Sequence, residues 1–180
     1  MISYLNKLSV HNDKISVMLR KNKFDYAGAI VLGMHDALVS LTGLIAGLAV
    51  AMVDRYAIIL TSVIASVTAS LSMGASNYLA MRTNGNTRAI VYAIYTGGAY
   101  MATCAALILP FFIFENRAME ITIMFIIAVL EIFAFNCWLG HVQHRRYIAN
   151  FLEMLAVCTT VSVVAFIIGW CAQKIWGIQI

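Results

Sequence analysis

The sequence predicts an all-α integral membrane protein with five transmembrane helices, and three observations support this prediction. Of the 180 residues, 62% are hydrophobic and 11% are charged, whereas soluble domains are about half apolar and about a quarter charged. Five apolar segments are each long enough to cross a hydrocarbon core of about 30 Å, which takes about 20 helical residues. The connections between them are short and polar, so neighbouring helices run antiparallel and form one domain, residues 28–173.

Charged residues bound the first two predicted helices. The first helix covers residues 28–53 and the second covers 56–81, with Asp54-Arg55 between them. Residues 1–27 are polar and lack the pattern of a cleavable signal peptide. We expect this leader to lie in the cytosol as an amphipathic helix on the bilayer surface.

Three further helices complete the predicted bundle. They cover residues 89–113, 118–141 and 151–173, with polar residues in each gap, and a short external tail, residues 174–180, follows the last helix. An odd number of spans puts the two chain ends on opposite sides of the membrane.

The distribution of basic residues predicts the orientation. Nine lie on the side of the N-terminus and three on the opposite side. Since Lys and Arg are enriched in cytoplasmic loops, we predict a cytosolic N-terminus and an external or lumenal C-terminus. The asymmetry accounts for the net charge of +4, which therefore does not indicate a nucleic-acid partner. The nine are Lys7, Lys14, Arg20, Lys21, Lys23, Arg82, Arg88, Arg145 and Arg146; the three are Arg55, Arg117 and Lys174.

Asp36 carries the strongest functional signal because it is a carboxylate inside the first apolar run. A charge near the centre of a membrane helix costs about 2.5–3.5 kcal/mol, and such residues mark ion paths, proton relays or buried partners. Helical spacing puts four small residues on the same face. Glycines in such a stripe also serve packing alone, but a carboxylate among them favours a functional groove. The four are Gly33, Ser40, Gly43 and Gly47.

Met73, near the end of the second helix, is the predicted partner of Asp36. Because the two helices are antiparallel, both residues are expected about two turns from the cytosolic surface. A carboxylate oxygen and a thioether together suit a divalent transition metal such as Fe²⁺ better than Mg²⁺ or Ca²⁺, which prefer oxygen ligands. A single methionine in an apolar helix more often fills a gap; the pairing with Asp36 supports the metal interpretation.

The first two helices contain two motifs: Gly33-x-x-Asp36-x-Leu38-Val39-Ser40, with Gly43-Leu44 and Ala46-Gly47 following, and Ser72-Met73-Gly74-Ala75-x-x-Tyr78-Leu79. These motifs resemble those of the vacuolar iron transporter family, and the likeness runs over about residues 25–173. Weaker likenesses lie at the ends of the third helix, Leu109-Pro110-Phe111, and of the fifth, Ala165-Phe166-Ile167-Ile168-Gly169.

The resemblance implies a five-helix protomer that forms a homodimer, with a metal path lined by the first two helices of each subunit. It also implies exchange of cytosolic Fe²⁺, with Mn²⁺ as the second candidate, for protons. Asp36 matches the family's metal- and proton-handling aspartate, and Met73 its methionine ligand. The chain departs from the family pattern at His35, Ala37 and Asn77, where Asn, Gly and Glu are usual, and the glutamate-rich cytosolic domain is replaced by the short basic stretch 82–88.

Four further residues are candidates for a proton relay or an additional ligand: His35, Ser72, Asn77 and Glu131. His35 adjoins Asp36, and histidine is the side chain type best suited to bind and release protons near neutral pH; a histidine at the membrane interface is the plain alternative. Glu131 lies near the middle of the fourth helix, where an ionised carboxyl is costly. It is either a second proton carrier or a hydrogen-bonded structural residue, and the family resemblance does not extend to it.

Cys137, His141 and His144 share one face at the end of the fourth helix. This stripe is a candidate for metal uptake at the cytosolic surface. However, three ligands on one uninterrupted helix face reach a single tetrahedral site poorly, and a basic interfacial anchor is the alternative.

We therefore predict proton-coupled export of a divalent transition metal by a homodimer in the lipid bilayer. The transported ion is Fe²⁺ or else Mn²⁺, Co²⁺ or Zn²⁺, and no permanently bound cofactor is expected. A bacterial cytoplasmic membrane is the expected location and a vacuolar-type membrane the alternative. The competing hypothesis is a non-transporting membrane assembly protein whose carboxylates are structural. An enzyme is not predicted, because no HExxH, GxS or paired-aspartate motif is present.

Overall fold

Five α-helices make up the described part of the chain. This computed structural model describes residues 2–51, 54–143 and 147–176, and the surroundings of side chains over 26–51, 54–140 and 148–175. The helices are α1 (Ile2–Ala51), α2 (Arg55–Thr83), α3 (Ala89–Ile113), α4 (Arg117–Gln143) and α5 (Tyr147–Trp176).

Each helix contains a stretch that is long and apolar enough to cross a membrane. The predicted fold class is therefore confirmed, and the five spans lie within three residues of the predicted bounds. The orientation of the chain ends stays a prediction. Residues 2–25 continue α1 without a break, and their place on a bilayer surface also stays a prediction. The spans are Tyr26–Ala51, Arg55–Thr83, Ala89–Ile113, Arg117–Gly140 and Ile148–Ile175.

Polar residues between the spans cap the helices. The Asp54 carboxylate accepts hydrogen bonds from the backbone N–H groups of Tyr56 and Ala57, at 3.2 and 3.1 Å, which satisfies two of the free donors at the start of α2. At the other end of α2 the chain turns through Gly85, with a φ of 72° that favours glycine. Residues that suit helix ends, Asp54 and Gly85, therefore lie where the apolar runs are interrupted.

Two names describe the ends of the bundle. The end that holds the α2–α3 loop, residues 84–88, is called the basic end, and the end where α2 and α4 begin is called the Arg55 end. At the basic end Arg88 donates to the Tyr26 hydroxyl at 3.4 Å, and this bond raises the pKa of Arg88. Arg82 donates to the Tyr78 hydroxyl at 2.9 Å. Tyrosines at helix ends thus bind two guanidinium groups at the basic end.

Helices α1 and α3 form the centre of the bundle. Helix α1 packs mainly against α3 and α5, and α3 packs against both α1 and α2, whereas α4 is more loosely attached. The third helix therefore lies against both helices that were predicted to form the site. The core includes Leu38, Leu41 and Ile45 of α1, Leu107 and Phe111 of α3, and Met124 and Ile132 of α4.

Glycines allow α1 to approach both neighbours closely. A Cβ added at Gly33 would overlap the backbone carbonyl of Thr96 in α3, and one added at Gly169 in α5 would overlap the backbone of Gly47. Gly43 lies against Val161 of α5. The predicted small-residue stripe of α1 is therefore divided between two partners within the protomer, α3 at Gly33 and α5 at the other two glycines.

A cavity of about 500 Å³ lies between α1, α4 and α5. Its lining is apolar except for Thr42, Cys158, Thr159 and Ser162, and it includes no acidic side chain. It is therefore separate from the candidate metal ligands.

Candidate functional site

Thr96 of α3 joins the two helices of the candidate site. Its backbone abuts Gly33 of α1, and its hydroxyl accepts a hydrogen bond from the side-chain amide of Asn77 on α2. Thr96 is fully buried and Asn77 is 6% exposed. The amide at position 77, where the resemblance implies a glutamate, thus has a structural partner.

Asp36 and Met73 lie at nearly the same depth. Asp36 follows Gly33 by three residues, and Met73 precedes Asn77 by four. Because α1 and α2 are antiparallel and a helix rises about 1.5 Å per residue, both residues lie about 4.5–6 Å from the level of Thr96, toward the Arg55 end. Both are partly buried, and Met73 packs against the hydrophobic core.

Asp36 has no ion-pair partner among the side chains that the structure describes. An ion pair between Arg55 and Glu120 lies elsewhere, at the Arg55 end. Asp36 interacts electrostatically with Tyr100 and Cys104 of α3. The Tyr100 hydroxyl is 2.8 Å from the hydroxyl of Ser40, one turn beyond Asp36. The described side chains with which the carboxylate interacts are therefore neutral and polar, which leaves its charge available to a cation or a proton.

A row of buried hydroxyl groups runs along α2 toward α3. The Ser66 hydroxyl donates to the backbone carbonyl of Ser62 at 2.6 Å, and Ser66 and Cys104 line the same pocket between α2 and α3. Ser70 is buried farther along the same row. Ser72, a predicted relay candidate, instead lies on the exposed side of α2. The buried polar surface of this helix therefore includes Ser70 and Asn77 and faces α3.

The fourth helix adds Glu131 to these surroundings. One of its carboxyl oxygens is buried and has no hydrogen-bond partner within the described residues. Glu131 interacts electrostatically with Cys104, so this thiol lies within range of two carboxyl groups, one from α1 and one from α4.

The remaining predicted candidates lie apart. His35 is partly buried beside Asp36, and Cys137 is partly buried on α4. The side chain of His141, and His144 altogether, lie outside the described residues. No group of three or more His, Cys, Asp and Glu side chains that could hold a metal ion forms within the described part of the protomer.

Sequence reasoning missed the contribution of α3. Its buried face carries hydroxyl and thiol groups at helical spacing, and this pattern was available in the sequence as a sign that the third helix lines the site. These residues are Tyr92, Thr96, Tyr100, Thr103 and Cys104.

An ion pair at the Arg55 end was also missed. The Arg55 guanidinium lies 2.8 Å from a carboxylate oxygen of Glu120 and donates to the backbone carbonyl of Phe111 at 2.9 Å. The Phe111 carbonyl is one of the last carbonyls of α3, and these groups lack hydrogen-bond partners within the helix. Arg117 donates to the carbonyl of Ala49 at 3.3 Å. Together these contacts join the ends of four helices.

A comparison with family models identifies a relationship over the first two spans. A sequence model of the VIT family matches residues 27–89, which comprise the membrane part of α1, all of α2 and the loop that follows. The match supports VIT-like family membership. VIT proteins are transporters rather than enzymes, and the match suggests transport of metal ions across a membrane in general terms. No protein with a curated description matches this chain.

Proposed function

We propose that this VIT-like chain is a homodimeric, proton-coupled exporter of a divalent transition metal, with Fe²⁺ as the first candidate cargo and Mn²⁺ as the second. The observation that supports the proposal is that Asp36 and Met73 lie at a similar depth, where Asp36 has no cationic partner among the described residues. A hard oxygen and a soft sulfur at that depth favour a borderline transition metal over Mg²⁺ and Ca²⁺.

Competition at Asp36 supplies the coupling. A carboxylate binds a divalent cation or a proton, but each excludes the other because both use the same oxygen lone pairs. A proton arriving from the opposite side therefore releases the metal, and a metal arriving from the cytosol releases the proton. The buried side chains of Tyr100 and Cys104, which interact electrostatically with this carboxylate, are neutral and do not compensate its charge.

A second subunit completes the ligand set in this proposal. One protomer offers Asp36 and Met73, whereas transition-metal sites usually have four or more ligands. Two copies that meet along α1 and α2 supply two carboxylates and two thioethers. The exposed side of α2 supports such a contact, because it combines large apolar residues with intramembrane hydroxyl groups that gain partners in a helix–helix interface. These residues are Leu60, Ile64, Thr68, Leu71, Ser72 and Ser76.

The direction of transport follows from the proposed orientation. If the basic end faces the cytosol, as the positive-inside rule predicts, Asp36 is reached from the cytosol by a shorter path than from the opposite side. Ten residues separate Asp36 from Tyr26 and fifteen separate it from Ala51, which correspond to about 15 and about 22 Å along α1. A bacterial cytoplasmic membrane is the first candidate location, and a vacuolar-type membrane is the second.

Transport by the purified protein in proteoliposomes tests the function. Uptake of Fe²⁺, Mn²⁺, Co²⁺ and Zn²⁺ is measured while an internal dye reports pH, with protein-free liposomes as the control. The proposal predicts uptake of Fe²⁺ or Mn²⁺ that is accompanied by proton counterflow. Metal uptake without any pH change contradicts the coupling, and absence of uptake for all four metals contradicts transport.

The second candidate is a non-transporting membrane assembly protein. The packing of Gly33, Gly43 and Gly47 against α3 and α5 favours it, because these close contacts explain the glycines without any ion path. It predicts that none of the four metals raises the melting temperature of the purified protein. Stabilisation by Fe²⁺ or Mn²⁺, but not by Mg²⁺ at the same concentration, excludes it.

A further inference from the structure

The cavity of about 500 Å³ between α1, α4 and α5 is a groove that opens between α4 and α5, and we call it the α4–α5 groove. Its floor is buried and includes Thr42 of α1, Ala128 of α4 and Ser162 of α5. Its rim is exposed and includes Phe125 of α4 and Val163 of α5. Because this rim lies on membrane-spanning helices, the groove opens toward the hydrocarbon of the bilayer.

The α4–α5 groove is about as long as one leaflet of a bilayer is thick. On α4 its lining runs from Ile121 to Ile132, and on α5 it runs from Leu155 to Phe166. Each of these ranges corresponds to about 16 Å along a helix, and half of a hydrocarbon core is about 15 Å thick. On α1 the lining ends at Val50, next to the last residue of the span. The groove therefore extends from the Arg55 end to the middle of the bundle.

An acyl chain fits the volume of the groove, whereas a helix does not. Carbon atoms pack at about 4 Å from one another, so a hydrocarbon chain occupies on the order of 300 Å³ over the length of the groove. A helix with a diameter of about 10 Å occupies on the order of 1,200 Å³ over the same length. The groove provides about 500 Å³, so a helix from a second copy of this chain is too wide to enter it.

Two buried hydroxyl groups in the floor are compatible with an acyl chain. The Thr42 hydroxyl donates to the backbone carbonyl of Leu38, and the Ser162 hydroxyl donates to the Thr42 hydroxyl at 3.5 Å. Both donors therefore have acceptors within the protein, and hydrocarbon that covers them leaves neither donor unsatisfied.

Two basic side chains lie beyond the groove at the Arg55 end. Arg117 precedes the first lining residue of α4 by one turn, and it donates to the carbonyl of Ala49, a lining residue of α1, at 3.3 Å. Lys174 follows the last lining residue of α5 by about two turns, and its ammonium group lies 5.1 Å from the centre of the Trp170 ring. Because tryptophan is enriched at membrane–water interfaces, we place both cations near the level of the lipid phosphate groups.

The carboxylates described at the Arg55 end belong to a helix cap, an ion pair and a loop. Asp54 caps α2, Glu120 pairs with Arg55, and Glu115 is exposed in the α3–α4 connection. The corner formed by the ends of α1, α4 and α5 therefore combines basic side chains with an apolar groove below them. This arrangement is complementary to a phospholipid, which has a negative phosphate group next to its acyl chains.

We propose that the α4–α5 groove binds one anionic phospholipid from the leaflet at the Arg55 end, with an acyl chain in the groove and the phosphate group at Arg117 and Lys174. A guanidinium group presents paired N–H donors that match phosphate oxygens, and an ammonium group adds a point charge. Helices α4 and α5 pack against each other less closely than α1 and α5 do, and the acyl chain fills the space between them. None of the described residues that line the groove is a candidate metal ligand, so this inference does not depend on the proposed function.

Native mass spectrometry of the purified protein, recorded in detergent without metal, tests the preference for the headgroup. The protein is titrated with phosphatidylglycerol or with phosphatidylcholine that has the same acyl chains. We expect one tightly bound phosphatidylglycerol per protomer and an affinity for phosphatidylcholine that is about tenfold lower, because basic residues near a membrane surface attract anionic lipid. Equal affinity for the two lipids, or no saturable binding of either, overturns the proposal.

Variants of the two basic residues test the position of the phosphate group. Arg117→Gln and Lys174→Gln should each lower the affinity for phosphatidylglycerol by about fivefold, whereas the matched control Arg82→Gln, in the last turn of α2 at the basic end, should leave it unchanged. Lys174 is exposed, so Lys174→Gln decides the question if Arg117→Gln does not fold. Unchanged affinity in both variants, or in Lys174→Gln where it is the one that folds, overturns the proposal.

A variant of the floor tests the position of the acyl chain. Ala128→Leu adds bulk at a floor residue that is 5% exposed, and the matched control Ala134→Leu adds the same bulk on the exposed side of α4. Ala128→Leu should lower the affinity for both lipids by about tenfold and reduce the increase in melting temperature that phosphatidylglycerol gives. Ala134→Leu should behave as the wild type.

Should Ala128→Leu not fold, Val129→Trp on the exposed rim of the groove takes its place with the same expected result. Wild-type affinity for both lipids in the folded variant overturns the proposal. A changed fraction of dimer together with wild-type lipid binding assigns the groove to a contact between copies of the chain, and it overturns the proposal as well.

Discussion

Replacing Glu120 with glutamine removes the negative partner of a buried ion pair and leaves Arg55 with only the Phe111 carbonyl. Glu120 is 1% exposed, and its carboxylate oxygen lies 2.8 Å from the guanidinium. Removal of one partner from a buried pair typically costs about 3–5 kcal/mol, because the other charge stays buried without compensation. The Arg55 side chain is 25% exposed and keeps its bond to α3, so we expect the low end of that range, about 3 kcal/mol.

Thermal unfolding of the purified protein in detergent measures this cost. A loss of about 3 kcal/mol corresponds to a decrease in melting temperature of about 6–12 °C for a chain of this size. The matched control is Glu115→Gln, because Glu115 is an exposed carboxylate in the same α3–α4 connection. Replacing both partners, Arg55→Met with Glu120→Met, should restore part of the loss, since the buried charge is then gone. An unchanged melting temperature in Glu120→Gln refutes the role assigned to the ion pair.

Three further predictions concern the helices around the candidate site. Gly33→Ala should destabilise the protein by about 1–3 kcal/mol because the added carbon overlaps the Thr96 carbonyl. The control Gly28→Ala, where nothing lies within 4 Å, should be neutral or slightly stabilising. Equal melting temperatures of the two variants contradict the close approach of α1 and α3. Asn77→Ala should cost about 1–2 kcal/mol because it leaves the buried Thr96 hydroxyl without this donor, and no change in thermal stability argues against that hydrogen bond. Met73→Leu should change the free energy of unfolding by less than about 1 kcal/mol but lower the apparent affinity for Fe²⁺ by about tenfold or more. Unaltered Fe²⁺ uptake curves would show that Met73 is not a ligand.

The fold could be predicted from the sequence because hydrocarbon imposes a simple rule on the chain. Apolar runs of membrane length must become helices, since every backbone group needs an internal partner, and capping residues such as Asp54 and Asn116 lie at the breaks. The lengths of the five spans follow directly. The order in which the helices pack does not follow, because consecutive helices need not be the most closely packed ones.

The candidate site could be predicted only in part, because the sequence does not show which helices pack most closely. Asp36 and Met73 were recognisable because a carboxylate and a thioether sit next to small residues, and the antiparallel path gives them equal depth. The partners that α3 supplies depend on its close approach to α1 and α2. Gly33 allows the approach of α3 to α1, but the sequence does not specify which helix packs there. The Arg55–Glu120 pair joins residues that are 65 positions apart in the sequence, and no local pattern links them.

The most direct test of the central claim is metal flux in Asp36→Asn, with Asp54→Asn as the matched control. Asp54 is an aspartate at the N-terminus of α2, and asparagine caps a helix about as well, so the control should transport normally. Asparagine at position 36 keeps the shape of the side chain but cannot bind a proton or neutralise a cation. Loss of Fe²⁺ and Mn²⁺ uptake together with loss of proton counterflow, in a protein that keeps the wild-type melting temperature without metal, is the predicted result. Uptake at the wild-type rate in Asp36→Asn would show that metal passes through this protein without the carboxylate.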